Sequence, residues 1–339
     1  MFGLGLPAMI VHLAIAGVME GALGLGLDIV DTAARLVRAG MAPHPRSGRP
    51  LQQRVVSHDG RPVRSTQRRP LAVEGAFELR SVRRGDVVVI PGVLATDDAS
   101  LQRLLDRADV QHVVALLARA ARKGVLFAAS CSATFFLAAA GLLDGKRATT
   151  TWWLMPSFQR RYPRVGLRPD RMVVDAGAVV TAGSAFAHAD LVLAVVARVT
   201  SPSVANLAAR YLLLDARASQ ARYMVLEHLQ TFDPLLRALE GFVAANLARQ
   251  LTLAELARAV GTSPRTLARR VDASVQMTPQ RFVQRVRTAH AAHLLETTRV
   301  SVEEVAARVG YADAAAFRRV FRQHAGVSPR DHRTPARRS

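Results

Sequence analysis

Two stretches of this 339-residue chain decide its reading: TLAELARAVGTSPRTLARRV at 252–271 and SVEEVAARVGYADAAAFRRVF at 301–321. Leu253, Glu255, Leu256, Ala257, Val260 and Gly261 recur as Val302, Glu304, Val305, Ala306, Val309 and Gly310, each 49 residues later. Ser263, Leu267 and Val271 recur as Asp313, Phe317 and Phe321 at an offset of 50, so the second turn is one residue longer. Apolar residues fall at i, i+3, i+4 and i+7, the spacing of one helix face. Each unit therefore reads as helix, glycine turn, helix. Ser263 and Asp313 suit the N-cap of the second helix, and Pro264 stands at the first helical position, where its missing N–H costs nothing. Between the units, Pro279 to Glu296 is expected as one long helix capped by Thr278.

This is helix-turn-helix spacing, repeated in tandem. A plain helical bundle is the competing reading, but the basic residues sit on the second helix of each unit: Arg265, Arg269 and Arg270, then Arg318, Arg319 and Arg322. The charge agrees. From Asn246 to Ser339 there are 17 basic and 7 acidic residues, a net +10 in 94 positions, while the preceding 245 residues share the other +10 of the total of +20. Of the 46 basic residues only Lys123 and Lys146 are lysine. A basic C-terminal segment implies an anionic partner, nucleic acid before membrane.

The stretch from about Leu251 to Arg333 resembles the DNA-binding domain of AraC/XylS-type transcription regulators. The matching residues are SPRTLARR (263–270), TPQRFVQRVR (278–287), VEEVAARVGY (302–311) and GVSPRDHR (326–333). The resemblance implies double-stranded promoter DNA as partner. It assigns the exposed reading positions to Arg265, Ala268 and Arg269 in the first unit and to Ala314, Ala315, Arg318 and Arg319 in the second, with Arg322 beside them. Alanines can touch a thymine methyl but donate no hydrogen bond, so readout rests on arginines, which favour the O6/N7 edge of guanine. Arg322 is expected to contact phosphate, which positions without specifying.

Ahead of this segment the chain alternates strand-like and helix-like runs. Ile10 to Ala16 reads as a buried strand followed by a glycine-rich turn, and Leu27 to Ala39 as a helix. A strand is expected around Gln53 to Ser57, and Asp86 to Ile90 (DVVVI) is another. One or two helices follow over Ala99 to Ala121, then a strand at Val125 to Ala129 and a helix at Ala133 to Ala140. A hairpin turns at Asp175-Ala176-Gly177, and Ala187 to Val199 is helical. The alternation implies an α/β N-terminal domain, a parallel sheet flanked by helices, followed by an all-α C-terminal domain with two helix-turn-helix units. The expected divisions are 8–200, a helical linker at 201–235, and 236–335. The apolar run Met1 to Met19 lacks a basic leader and meets Glu20, which argues against a signal or membrane segment. Met1 to Pro7 is expected to be a loose extension or the product of a misassigned start codon.

Cys131 is the sole cysteine, so no intramolecular disulfide and no cysteine zinc cage can form. It lies between a strand and a helix, the shape of a nucleophile elbow, where a helix N-terminus lowers a thiol's pKa. The flanking sequence CSATFFLAAAGLLDGKRATTTWW (131–153), with RYPRVGL (161–167), VVTAGSAFAHADLVL (179–193) and RYLLLDARASQ (210–220), resembles the ThiJ/PfpI or class I glutamine amidotransferase-like superfamily. Joined to the C-terminal part it is similar to the GlxA-type branch of AraC regulators. This implies a flavodoxin-like fold, a homodimer, and a pocket for a small-molecule effector around Cys131, Ser132, Glu20 and Thr151, with RNA polymerase as a candidate partner on the promoter.

Catalysis is not expected. Hydrolytic members place His directly after the Cys, where this chain has Ser132, and the branch's usual His site is Thr151. The glycines Gly21, Gly24 and Gly26 lack phosphate-loop spacing and read as a turn. His188 and Asp190 read as an ordinary helix start, Trp152 and Trp153 as packing residues. The ten histidines show no metal-ligand spacing, so neither metal nor cofactor is expected. The expected protein is a cytoplasmic regulator. The readings set against it are a Cys-dependent hydrolase with a basic tail and a non-specific nucleoid-type DNA protein.

Overall fold

The structure, a computed structural model, describes residues 9–42, 51–168, 171–215, 217, 220, 234–275, 277–325 and 327–333. The expected loose segment Met1–Pro7 and most of the stretch between Asp215 and Pro234 lie outside these residues. The chain forms two compact units, Met1–Ala221 and Arg222–Ser339.

The first unit is built on a six-stranded sheet: β1 (Met9–Leu13), β2 (Gln52–Val56), β3 (Val87–Ile90), β4 (Leu126–Ser130), β5 (Val173–Asp175) and β6 (Val179–Ala182). Their order is β2-β1-β3-β4-β6-β5, parallel throughout except for the β5–β6 hairpin. All four side chains of β3 are fully buried, as a strand covered on both faces requires. Alternation along the strands splits the core in two. Val11, Leu13, Val88, Ile90, Phe127 and Ala129 face a layer that includes α2 (Asp98–Leu105), α3 (Ala108–Ala121), α4 (Thr134–Ala139) and α5 (Met155–Arg161). Ile10, Val87, Val89, Ala128, Val180 and Ala182 face α1 (Glu20–Arg38), α6 (Ala187–Val199) and α7 (Pro202–Tyr211). Helix α7, which the sequence reading placed in a connecting region, buries Val204, Ala205 and Ala208 in this second core.

Helix α1 corrects one sequence expectation. It begins at Glu20 rather than Leu27 and takes Gly21, Gly24 and Gly26 into its first two turns. Gly26 is there because of a close approach and not a turn: a Cβ at this position would stand 2.9 Å from Nε2 of His188 on α6. Periodicity along α1 carries no trace of that contact.

The second unit is helical where described: α8 (Pro234–Ala245), α9 (Leu253–Ala259), α10 (Pro264–Val275), α11 (Pro279–Thr297), α12 (Val302–Arg308), α13 (Ala314–Ala325) and α14 (Pro329–Arg333). The repeat is real in space: α9 and α12 begin 49 residues apart, α10 and α13 begin 50 apart. Thr252, Thr278 and Ser301 cap α9, α11 and α12 through their hydroxyls. The two turns contain Gly261 (φ +65°) and Gly310 (φ +84°), left-handed positions that favour glycine. The second half closes on Ala291, Leu295, Val305, Ala306, Val309, Phe317 and Phe321.

Candidate nucleic-acid interface and elbow pocket

On α10, Leu267 and Val271 are buried, so the helix turns its opposite face outward. Arg265 and Arg269 stand on that face four residues apart, both exposed, with Ala268 half-buried beside them. Neither arginine has a hydrogen-bond or ion-pair partner among the described residues. The helix start is fixed by Ser263, whose Oγ accepts the Thr266 N–H at 3.2 Å.

The matching face of α13 is built differently. Asp313 accepts from the N–H groups of Ala315 (2.8 Å) and Ala316 (3.0 Å), and these bonds hold its carboxyl below the usual range. Ala315, Arg318, Arg319 and Arg322 border a shallow hollow of about 490 Å³ with Gln323. Arg318 forms an ion pair with Glu303 of α12, a partner that sequence reasoning missed because it lies in the preceding helix. Arg319 and Arg322 are exposed and form no hydrogen bond or close ion pair among the described residues, although the Arg319 charge acts on Asp313.

In the first unit Cys131 has φ +57°, a left-handed conformation that a non-glycine residue adopts at cost. Its N–H donates to Gly183 O (2.6 Å) and its carbonyl accepts from Thr150 Oγ1 (2.7 Å). Gly92 is what makes room, since a Cβ there would lie 2.6 Å from the Cys131 Cβ. The elbow geometry expected from sequence is therefore present. The expected lowering of the thiol pKa is not: burial pushes it up to about 11, and hydrogen bonding by Ser132 and Thr151 offsets this only in part. A six-residue α4, preceded by a short 3₁₀ turn, does not compensate for full desolvation.

The remaining pocket residues are placed as follows. Ser132 Oγ donates to the Val93 carbonyl and accepts the Val93 N–H at 3.2 Å. Thr151 Oγ1 shares a hydrogen bond with Ser184 Oγ (3.2 Å). Glu20 is turned to another use. Its carboxylate takes the Arg69 guanidinium in two bonds of 2.6 and 3.1 Å, which holds its pKa down, and it is not among the groups acting on the thiol.

Sequence reasoning missed two buried histidine hydrogen bonds in the α/β unit. His188 is fully buried, and its Nδ1 shares a hydrogen bond with Ser130 Oγ at 2.9 Å. His12, also fully buried, shares one with Gln53 Oε1 at 3.0 Å, and Gln53 Nε2 donates to Leu27 O. Desolvation lowers His12 to about 4 and, with a contribution from His12, His188 to about 3. A histidine inside the strand MIVHL was the available signal. Gln220 was missed as well. Its buried carboxamide donates to Thr149 Oγ1 (2.9 Å), Thr150 O (3.2 Å) and Arg171 O (3.2 Å), near the end of the first unit at Ala221. Trp153 packs as expected, its indole N–H donating to Ala95 O. Among the described residues no cluster of three or more His, Cys, Asp or Glu could hold a metal ion, and no helix is long and apolar enough to cross a membrane.

Known proteins agree with this geometry at both ends. Residues 27–198 match the DJ-1/PfpI family and residues 256–334 match a helix-turn-helix domain. The chain belongs to the AraC-type helix-turn-helix regulators that carry a DJ-1/PfpI domain, and it is a DNA-binding transcription regulator. It is 29% identical over 291 residues to the HTH-type transcriptional regulator GbdR of Pseudomonas aeruginosa, covering 85% of this chain and 76% of that one. It is 30% identical over 228 residues to the HTH-type transcriptional regulator GlxA of Rhizobium meliloti, covering 65% and 70%. A crystal structure of a candidate transcriptional regulator protein from Vibrio parahaemolyticus is similar to this chain with a TM-score of 0.50 at 19% identity, covering 61% of this chain and all of the other.

Proposed function

We propose that the protein is a cytoplasmic, effector-responsive promoter regulator and not an enzyme. The α/β unit, helix α7 included, senses a small molecule and dimerises, and the helical unit that follows reads DNA. Arg265, Ala268 and Arg269 face one half of an asymmetric operator. Ala314, Ala315, Arg318 and Arg319 face the other half, Arg322 grips phosphate, and RNA polymerase is the partner on the promoter. The observation that supports a sensing pocket over a catalytic one is the state of Cys131. A nucleophile needs a base in reach and a thiol that ionises near neutrality. This thiol is held protonated by burial and is bonded by hydroxyls, and the nearby His188 is engaged with Ser130. A ligand that displaced the Ser132 and Thr151 contacts would disturb Thr150, and through it Gln220 and the chain leading to the reader.

The experiment uses an operator selected by the full-length protein from random duplexes. Cys131→Ser is expected to leave operator affinity without effector within about 1 kcal/mol of the parent, the size of a modest substitution. Thiol-dependent turnover of small amides or aldehydes by the parent protein, lost in Cys131→Ser, would contradict the non-enzymatic reading.

A further inference from the structure

Arg287 lies midway along α11, is 6% exposed, and has no carboxylate against it among the described residues. A buried cation without a counter-ion is costly, so the groups it does meet matter. Its Nη2 donates to the Arg249 carbonyl, in the segment leading into α9. Its Nη1 donates to the Gly310 carbonyl at 3.4 Å, in the turn between α12 and α13. Its guanidinium sits 5.8 Å from the centre of the Tyr311 ring. The two chain segments also meet directly: a Cβ on Gly310 would lie 2.2 Å from Leu247 O and 2.9 Å from the Arg287 Cζ.

Elsewhere the two helix-turn-helix units barely pack on one another. Between Leu253 and Leu256 on one side and Tyr311 and Asp313 on the other lies a cleft of about 520 Å³, with Arg287 in its wall. The relative placement of the two recognition helices therefore depends on α11 and on what α11 ties together. A planar guanidinium fork can hold two carbonyls in fixed directions, which an ammonium on a flexible stem does not.

We infer that Arg287 is a positioning residue for DNA reading: by tying the lead-in of the first helix-turn-helix to the turn of the second, it fixes the separation and rotation of the two recognition helices. The inference rests on both units reading one operator, and the test keeps the two apart. Full-length parent protein is titrated against the selected operator, against each half-operator, and against operators with one base pair inserted or deleted between the halves. One base pair shifts the second half by about 3.4 Å and about 34°. If the parent binds the whole operator no better than a half, or ignores the spacer, the two-unit reading itself fails. If the parent shows both effects, Arg287→Met and Arg287→Lys are compared with it. The expected result is half-operator binding within about threefold of the parent, a tenfold or greater loss on the whole operator, and a flattened response to spacer length. Parent-like spacer dependence in both variants would overturn the inference. So would variants that lose half-operator binding along with helical content, because Arg287 would then be holding the fold and not the spacing.

Discussion

In the α/β unit the polar groups withdrawn from water around the elbow and the central strands are mostly neutral, the imidazoles of His12 and His188, the Cys131 thiol, and the hydroxyls of Thr149, Thr150 and Thr151, while the one buried carboxylate among the described residues, Asp86, is held by the N–H groups of Met9 and Arg83. They fall into separate sets: His12 bonds Gln53, His188 bonds Ser130, and Thr150 bonds the Cys131 carbonyl while Thr149 and Thr150 accept from Gln220. In the helical unit the conspicuous buried polar group is a permanent cation, Arg287 of the connecting helix, held by backbone carbonyls, while the arginines of the recognition helices face solvent. The contrast separates two tasks. Neutral hydroxyl, thiol and carboxamide groups around the elbow can exchange their hydrogen bonds with a small molecule. A frame tied through its backbone instead holds surface charge in fixed register with a polyanion.

The largest effect expected from breaking this contrast is on the helical side. The second helix-turn-helix closes on few large side chains, with Phe317 and Phe321 fully or almost fully buried. Phe321→Ala is expected to cost about 3–5 kcal/mol, as deletion of a buried aromatic does. Denaturation followed by far-ultraviolet circular dichroism checks it, and a loss under 1 kcal/mol would mean the unit does not depend on that core.

Acid sharpens the contrast from the other side. His12 and His188 are neutral in the fold and titrate near 4 and 3, below the value of about 6.5 they regain on unfolding. Their contribution is fully present above about pH 6.5. It falls as pH drops toward 4, at up to about 1.4 kcal/mol per pH unit for each histidine. Both tryptophans, Trp152 and Trp153, lie in the α/β unit, so their fluorescence reports its unfolding alone. Denaturation midpoints at pH 7.5 and 5.0 should differ, and His12→Gln should reduce the difference by about half. Equal midpoints in the parent would show that these imidazoles are not held neutral.

Much of the architecture was legible because it is local. The 49- and 50-residue offsets, the DVVVI strand, the Asp175-Ala176-Gly177 hairpin and the Thr278 cap are statements about neighbours in sequence, and the structure has each of them. What sequence could not show depends on residues far apart along the chain. Gly26 looks like a turn until His188 is brought against it. Glu20 looks available to the thiol until Arg69 takes it. The pKa of Cys131 is set by burial that no elbow motif encodes. The exposed arginines of α10 and α13 were readable from helical spacing, but the pairing of Arg318 with Glu303 and the burial of Arg287 emerge only when helices are packed.

The measurement that bears most directly on sequence-specific reading is a titration of Arg269→Ala and Arg322→Ala against the operator and a scrambled duplex at several salt concentrations. Arg269 stands free on the outer face of α10, and loss of an arginine–guanine contact there should cost about 1–3 kcal/mol on the operator and little on the scrambled duplex. Arg322→Ala should weaken both duplexes alike and reduce the salt dependence by roughly one ion. Equal losses on the two duplexes for Arg269→Ala would contradict the assignment of base reading to this helix face.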